Sequence, residues 1–313
     1  MLAYIGSWVW LQGYWGGKME CLSDEVGITF ASLFAPATYC FMFISGYYGL
    51  KFSLKKCISL EAWLILSSLL TCFIGSCFFG KLTIMGLVNA CLPVSTMKWW
   101  FMTCYMLIFL LSPILNKGID SLSKNSFLLI IVSLLAYQFF SFLRLQNNGG
   151  SNFLGLLTIF LIGRYFSIYK IEIKKNIAKV LFLLCWVSLI GLMLLANHYS
   201  KTHVFTLLNY NTPLIMAMAI TVFYYVKGMT PHYFPKLNTF LKPVLFIYLI
   251  TDGLFVPFYE WVTSVLESNL LLGVLLFISI PITCLIIGHV LIKFVVFLES
   301  KINIQKIEDY VRQ

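Results

Sequence analysis

Trp99-Trp100-Phe101-Met102-Thr103-Cys104-Tyr105, continuing through Leu111-Ser112-Pro113-Ile114-Leu115-Asn116, reads as a membrane helix with a polar rim at each end. Paired Trp side chains favour the headgroup level, where the ring is buried and the indole N–H stays wet. Ser112-Pro113-x-x-Asn116 marks the opposite rim, and Thr103, Cys104 and Tyr105 interrupt the apolar run one turn in from the Trp pair. Proline withholds one backbone N–H, so a carbonyl one turn back needs another donor, which predicts that Ser112-Pro113 packs among other helices. Taken alone, these residues also fit an ordinary span with an aromatic anchor.

The rest of the chain agrees with a membrane setting. Hydrophobic residues make up 60% of the 313 and charged residues 11%, with a mean hydropathy of +0.89, whereas a soluble domain carries about 25% charged residues. A soluble globule is excluded, and no linker divides the chain, so residues 1–313 read as one integral-membrane domain. Nine apolar stretches approach the roughly 20 residues that a span needs: 28–50, 58–79, 99–115, 126–143, 153–169, 177–196, 210–226, 240–262 and 269–295. The fold class is therefore all-α, a polytopic transmembrane helix bundle of about nine spans. Residues 81–97, broken by Gly86, Asn89 and Pro93, read as an interfacial or re-entrant piece, and the eighth span, with Pro243, Gly253 and Pro257, reads as kinked.

The net charge of +10 sits in short loops. Lys51, Lys55 and Lys56 follow the first span; Lys117 and Lys124 the third; Arg164, Lys170, Lys174 and Lys175 the fifth; Lys227 and Lys236 the seventh; Lys293, Lys301, Lys306 and Arg312 the ninth. The intervening loops hold only Lys18, Lys81, Lys98, Arg144 and Lys201. The positive-inside rule puts the first set in the cytoplasm, together with a tail over 296–313. The charge thus serves orientation, and no nucleic-acid partner is expected. Residues 1–25 then lie on the outer side as a remnant, either because a first helix is missing from the chain or because a short, nearly neutral tail is translocated. Met1–Trp15 is too short for a span and lacks the basic start of a signal peptide.

Few groups suit chemistry. Asp252 is an acid inside a span, and such groups usually face the bundle interior. It reads either as a proton acceptor or hydroxyl-orienting group, or as a packing carboxyl hydrogen-bonded to a neighbouring helix. Lys51, Lys55 and Lys56 suit the phosphates of a nucleotide-like ligand and equally suit anchoring beside anionic lipid; Arg164 carries the same two readings. Glu61 reads as an interfacial ion pair with Lys55 or Lys56. His198, His203, His232 and His289 have no ligand spacing with Cys, Asp or Glu, and the nine cysteines form no CxxC pair, so no metal is expected. A phosphate-binding Gly loop is absent, which argues against an ATP-driven pump.

Several motifs, in order, resemble the acyltransferase-3 family of polytopic bacterial membrane enzymes. They are Phe43-Ile44-Ser45-Gly46-Tyr47-Tyr48; Lys51 and Lys55-Lys56; Trp99-Trp100-Phe101 leading to Tyr105 and Ser112-Pro113-x-x-Asn116; Asn147-Asn148-Gly149; Leu161-Ile162-Gly163-Arg164-Tyr165; Asn211-Thr212-Pro213; and Ile247-Tyr248-Leu249-Ile250. The resemblance covers about residue 28 to the last span and lies nearest the branch that modifies capsule or O-antigen lipopolysaccharide. It implies transfer of an acyl group, usually acetyl, from cytoplasmic acyl-CoA (acetyl-CoA as donor) to a hydroxyl of a surface or lipid-linked glycan outside the inner membrane. It implies CoA contacts at Lys51, Lys55, Lys56 and Arg164, and glycan contacts at Trp99, Trp100, Tyr105, Asn148, Asn211 and Tyr248, with membrane lipid as the remaining partner. Two departures accompany it. The family's first helix carries a basic residue and a His regarded as the catalytic base, without counterpart here, and Tyr-Leu-Ile is commonly followed by His where this chain has Thr251. A hydroxyl needs a base of suitable pKa to attack a thioester, which Thr does not supply unaided, so the chain as given is expected to be inactive or to need its first helix restored. The rival readings are a flippase or other transporter of lipid-linked sugars, which predicts pseudo-symmetric halves; a polysaccharide polymerase, which predicts a large outer loop; and a non-catalytic glycan-binding membrane protein.

Overall fold

The computed structural model describes residue 29 and residues 31–301 apart from 81, 145, 146, 200–203 and 205. The side chains of 79, 147, 148, 255–260, 263, 266, 267, 270, 274, 277 and 298–301 are outside the description. The expected outer remnant over 1–25 and most of the 296–313 tail therefore lie outside the described residues. The protein is all-α: α1 (Ala37–Tyr48), α2 (Leu54–Phe79), α3 (Ile84–Cys91), α4 (Trp100–Asp120), α5 (Lys124–Leu143), a 3-10 turn (Asn147–Gly150), α6 (Phe153–Ile168), α7 (Lys175–Tyr199), α8 (Pro213–Lys227), α9 (Pro235–Phe240), α10 (Val244–Ser268) and α11 (Leu270–Lys301).

Every expected span coincides with a helix, but the lengths separate them. Six stretches are long and apolar enough to cross a bilayer: Leu54–Phe78, Trp100–Asp120, Lys124–Leu143, Lys175–Tyr199, Pro235–Leu254 and Leu271–Phe297. The first, fifth and seventh expected spans form shorter helices of 12, 16 and 15 residues. Side-chain caps start several of the helices. Thr83 Oγ1 accepts from Gly86 N at 3.0 Å, Ser123 Oγ from Ser126 N at 3.1 Å and Asn152 Oδ1 from Gly155 N at 2.9 Å, each pairing an N–H that the helix itself leaves open. The 81–97 stretch contains the short helix α3, whose Ile84, Met85 and Val88 are exposed, followed by turns through Met97. Pro243 caps the start of α10 instead of kinking it, and α10 runs on without a break past Pro257.

Two compact units divide the chain, each assembled from separated segments. Among described residues, unit one holds residues 52–99 and 232–301, and unit two residues 29–51 and 100–231. In unit two, α1 lies against α6 and α8, α7 against α8, and α4 and α5 against α6. The α1–α6 crossing is close because both helices bring a glycine to it. A Cβ on Gly46 would stand 2.1 Å from Phe160 O, and one on Gly163 2.4 Å from Phe43 O. Small residues are what allow helix backbones to approach this closely inside a membrane protein. In α4, Ser112 Oγ donates to Phe109 O at 2.7 Å, the carbonyl that Pro113 deprives of its backbone donor. The neighbour that satisfies it is the residue just before the proline. In unit one, α10 packs on α2 and α11, and α3 on α2.

Candidate functional site

Unit two has two ends of opposite chemistry. At the first, the Asn147–Gly150 turn closes over the start of α1: Gly150 has φ +79°, and a Cβ there would meet Asn211 N at 2.6 Å. Tyr39 Oη donates to Gly150 O at 3.2 Å, and Asn211 N donates to Gly149 O at 3.2 Å. Tyr39 stacks on Tyr210 with ring centroids 5.2 Å apart, Trp100 lies 5.3 Å from the same ring, and Thr38 Oγ1 is 3.2 Å from Tyr210 Oη. Asn211 is only 1% exposed, yet among the described residues neither its Oδ1 nor its Nδ2 has a hydrogen-bond partner. A buried amide left unpaired costs about 1–3 kcal/mol, and such groups call for a functional or solvent partner.

The second end is cationic. Lys227 Nζ donates to Tyr47 Oη at 2.6 Å and to Glu172 Oε1 at 2.9 Å, and lies over the Tyr47 and Tyr224 rings. Tyr224 Oη donates to Ile171 O. Lys124 sits over the Tyr169 ring and Lys175 over that of Tyr225. Asn116 Nδ2 donates to Leu50 O at 2.9 Å, which ties the end of α4 to the segment after α1. Arg164 lies over Gly49, with its buried Nε unpartnered, two residues ahead of the exposed Lys51. The ion pair is largely solvent-exposed, so it contributes little stability.

Unit one holds a separate polar cluster. Lys98 Nζ donates to Ser68 O (3.2 Å), Ser68 Oγ (3.1 Å) and Thr71 Oγ1 (2.7 Å) on α2, and lies 5.0 Å from the centroid of the Trp99 ring. Burial pushes its ammonium down to about 8 from the ordinary 10.5. Trp99 is 1% exposed, and among the described residues its Nε1 and the Oγ of buried Ser67 have no partner. Gly253 meets Thr71 and the Trp99 ring so closely that a Cβ would stand about 3 Å from each. The next residue back, Asp252, is buried, forms no ion pair among the described residues and has Tyr248 as its side-chain partner one turn earlier.

The expected site residues are thus distributed. Unit two brings Trp100 and Asn211 to one end and Lys51 and Arg164 to the other. Tyr105, one turn into α4, faces Phe101 and Phe109, and Asn148 falls in the 3-10 turn with its side chain outside the description. Unit one holds Lys55 and Lys56, exposed in the first turn of α2, and gathers Trp99, Tyr248 and Asp252 around the α2–α10 contact. Sequence reasoning missed Tyr39, Tyr210 and the role of Lys98. The adjacency of Lys98 to the Trp pair was the available signal; nothing local marked the two tyrosines, which meet across 171 positions of chain.

A helical fold with six helices long and apolar enough to cross a bilayer defines a membrane protein. Comparison with known families gives the class more closely: the family described as an acyltransferase domain matches residues 3–289. The chain belongs to this acyltransferase family, and the match begins well ahead of residue 28, where the motif resemblance starts. Comparisons with curated proteins and with solved structures gave no match.

Proposed function

We propose that the protein is an O-acyltransferase that moves an acyl group, acetyl in the simplest case, from cytoplasmic acyl-CoA to a hydroxyl of a surface or lipid-linked polysaccharide. One observation carries the reading: a single compact unit has an aromatic, amide-bearing end and a cationic end. Sugars are held by hydrogen bonds from planar amides and by apolar contact with aromatic faces, chemistry that Asn211, Trp100 and Tyr210 offer. Phosphate groups are held by Lys and by forked guanidinium donors, chemistry that Lys51 and Arg164 offer. Lys55 and Lys56 stand at the start of α2, where the helix dipole also favours an anion. The proposed reaction forms a C–O bond from the acceptor hydroxyl to the acyl carbon and breaks the C–S bond to CoA, whose sulfur leaves as thiolate and takes up the hydroxyl proton. Asp252 is proposed to accept or orient that proton on its way, a role favoured by its burial with no cation of the described residues at ion-pair distance. Asn148 and Tyr105 in unit two, and Trp99 and Tyr248 in unit one, are further proposed acceptor contacts, and residues 1–313 are proposed to be one integral-membrane domain in the bacterial inner membrane with a cytoplasmic C-terminus.

The test is the acetyl content of surface polysaccharide in a strain lacking the gene, restored with wild type, Arg164→Ala or Asn211→Leu. Acetylation restored by wild type and cut at least tenfold by each variant is the expected result. Acetylation that is unchanged on deletion overturns the proposal.

A further inference from the structure

Nothing in the expected site explains Lys98. The segment 92–99 folds back along α2, so that Lys98 reaches Thr71, eight residues short of the helix end and about 12 Å along its axis. The turn that aims it is strained: Met97 has φ +52°, a left-handed conformation that costs a residue with a Cβ about 1–2 kcal/mol. Such strain persists where surrounding structure enforces it, and functional sites are where it collects. All three ammonium donors point to neutral oxygens, and among the described residues no carboxylate comes within ion-pair distance. Two further hydrogen-bond donors belong to residues next to those of this cluster. Trp99 Nε1 belongs to the adjacent residue. Ser67 Oγ stands one turn before Thr71 on the same face of α2. Both are buried and unpaired. Meanwhile Ser95, Thr96 and Met97 leave the outer side of the turn exposed.

A cation fixed by neutral partners, with idle donors around it, has the composition of an anion receptor. We propose that Lys98, with Trp99 Nε1 and Ser67 Oγ, binds an oxyanion carried by the acceptor, a sugar carboxylate or the phosphate of a lipid-linked glycan. The site would give the enzyme a preference for acidic over neutral acceptors. Lys98 supplies the charge, the indole and hydroxyl supply direction, and the Trp99 ring, pressed between Lys98 and Gly253, keeps the indole in place. This inference rests on the acyltransferase reading for the identity of its ligand, but not for the existence of the site.

The experiment uses the full chain in phosphatidylcholine nanodiscs without acyl donor, titrated calorimetrically with glucuronate, glucose and inorganic phosphate. Wild type is expected to bind glucuronate or phosphate and not glucose. The carboxylate and phosphate sources are distinguished by which of the two binds more tightly. Lys98→Gln keeps hydrogen bonding to Ser68 and Thr71 while removing the charge, and is expected to weaken oxyanion binding at least tenfold with a thermal midpoint within a few degrees of wild type. Lys98→Arg, which restores the charge, is expected to recover part of the binding. Unchanged oxyanion binding in Lys98→Gln overturns the proposal, as does wild type binding none of the anions. If wild type binds anions through Lys98 but transfers no acyl group to any glycan, the acyltransferase reading fails and the receptor stands.

Discussion

At the scale of one residue, Asn211 is a buried polar group whose proposed role in binding sets it against stability. Its amide is enclosed and unpaired, so an apolar side chain of similar size removes a cost without opening a cavity. Asn211→Leu is therefore expected to raise stability by about 1–2 kcal/mol while abolishing transfer, a combination that thermal unfolding and an acetylation assay read separately. A loss of both would mean that the amide supports the fold. Lys98 permits a prediction with a definite sign. Its ammonium loses its proton near pH 8 in the folded protein and near 10.5 when unfolded, with Cys72 facing it from α2 and Asp252 and Tyr248 lying beyond Gly253 on α10. Between those values the unfolded chain holds more protons, so this residue makes stability rise with pH across the window. Oxyanion binding needs the protonated form and should fall as pH passes about 8. Binding that persists unchanged to pH 10 would contradict this. Asn211 stood out in the sequence only through its motif; its isolation from hydrogen-bond partners is a property of the packed structure.

At the scale of elements, the α1–α6 crossing determines how the site's two ends are held. The motif glycines Gly46 and Gly163 read in the sequence as signature positions, and the structure gives them a mechanical task, since each admits the other helix's backbone. Gly46→Ala should destabilise unit two by about 3 kcal/mol or more, because backbone atoms cannot move aside as a side chain does. Gly191→Ala, in α7 with open space around it, should instead stabilise by about 1 kcal/mol through helix propensity. Equal effects of the two substitutions on thermal midpoint would show that the crossing is not tight. The same packing accounts for the short helices. α1 lies against both α6 and α8, and helices enclosed by protein and ended by polar turns need not match the bilayer thickness individually. Periodicity and hydropathy located these helices, but their neighbours set their lengths.

For the whole molecule, the loop-charge alternation has a structural counterpart in unit two. Lys51, Lys124, Arg164, Lys175 and Lys227, scattered over 177 positions, come to the same end through the contacts of Asn116 with Leu50, Lys124 with Tyr169, Lys175 with Tyr225, and Lys227 with Tyr47 and Glu172. Single cysteines placed at Lys117, Lys170 and Met229, in a chain freed of its native cysteines, should react with an impermeant maleimide only after the membrane is opened. A cysteine at Arg144 should react in intact cells. Labelling of Lys117 and Arg144 from the same side would refute the topology.

The sequence by itself determined the membrane setting, the helical class, the sites of the spans and the acyltransferase family, because each is written in local composition, in charge spacing or in short ordered motifs. Only the tertiary structure decided that Asn211 has no partner among the described residues, that Tyr39 and Tyr210 stack near it, and that Lys98 turns back onto α2 with no carboxylate of those residues at ion-pair distance. Those facts depend on which distant segments meet, and hydrogen-bond satisfaction is settled only when the neighbours are in place.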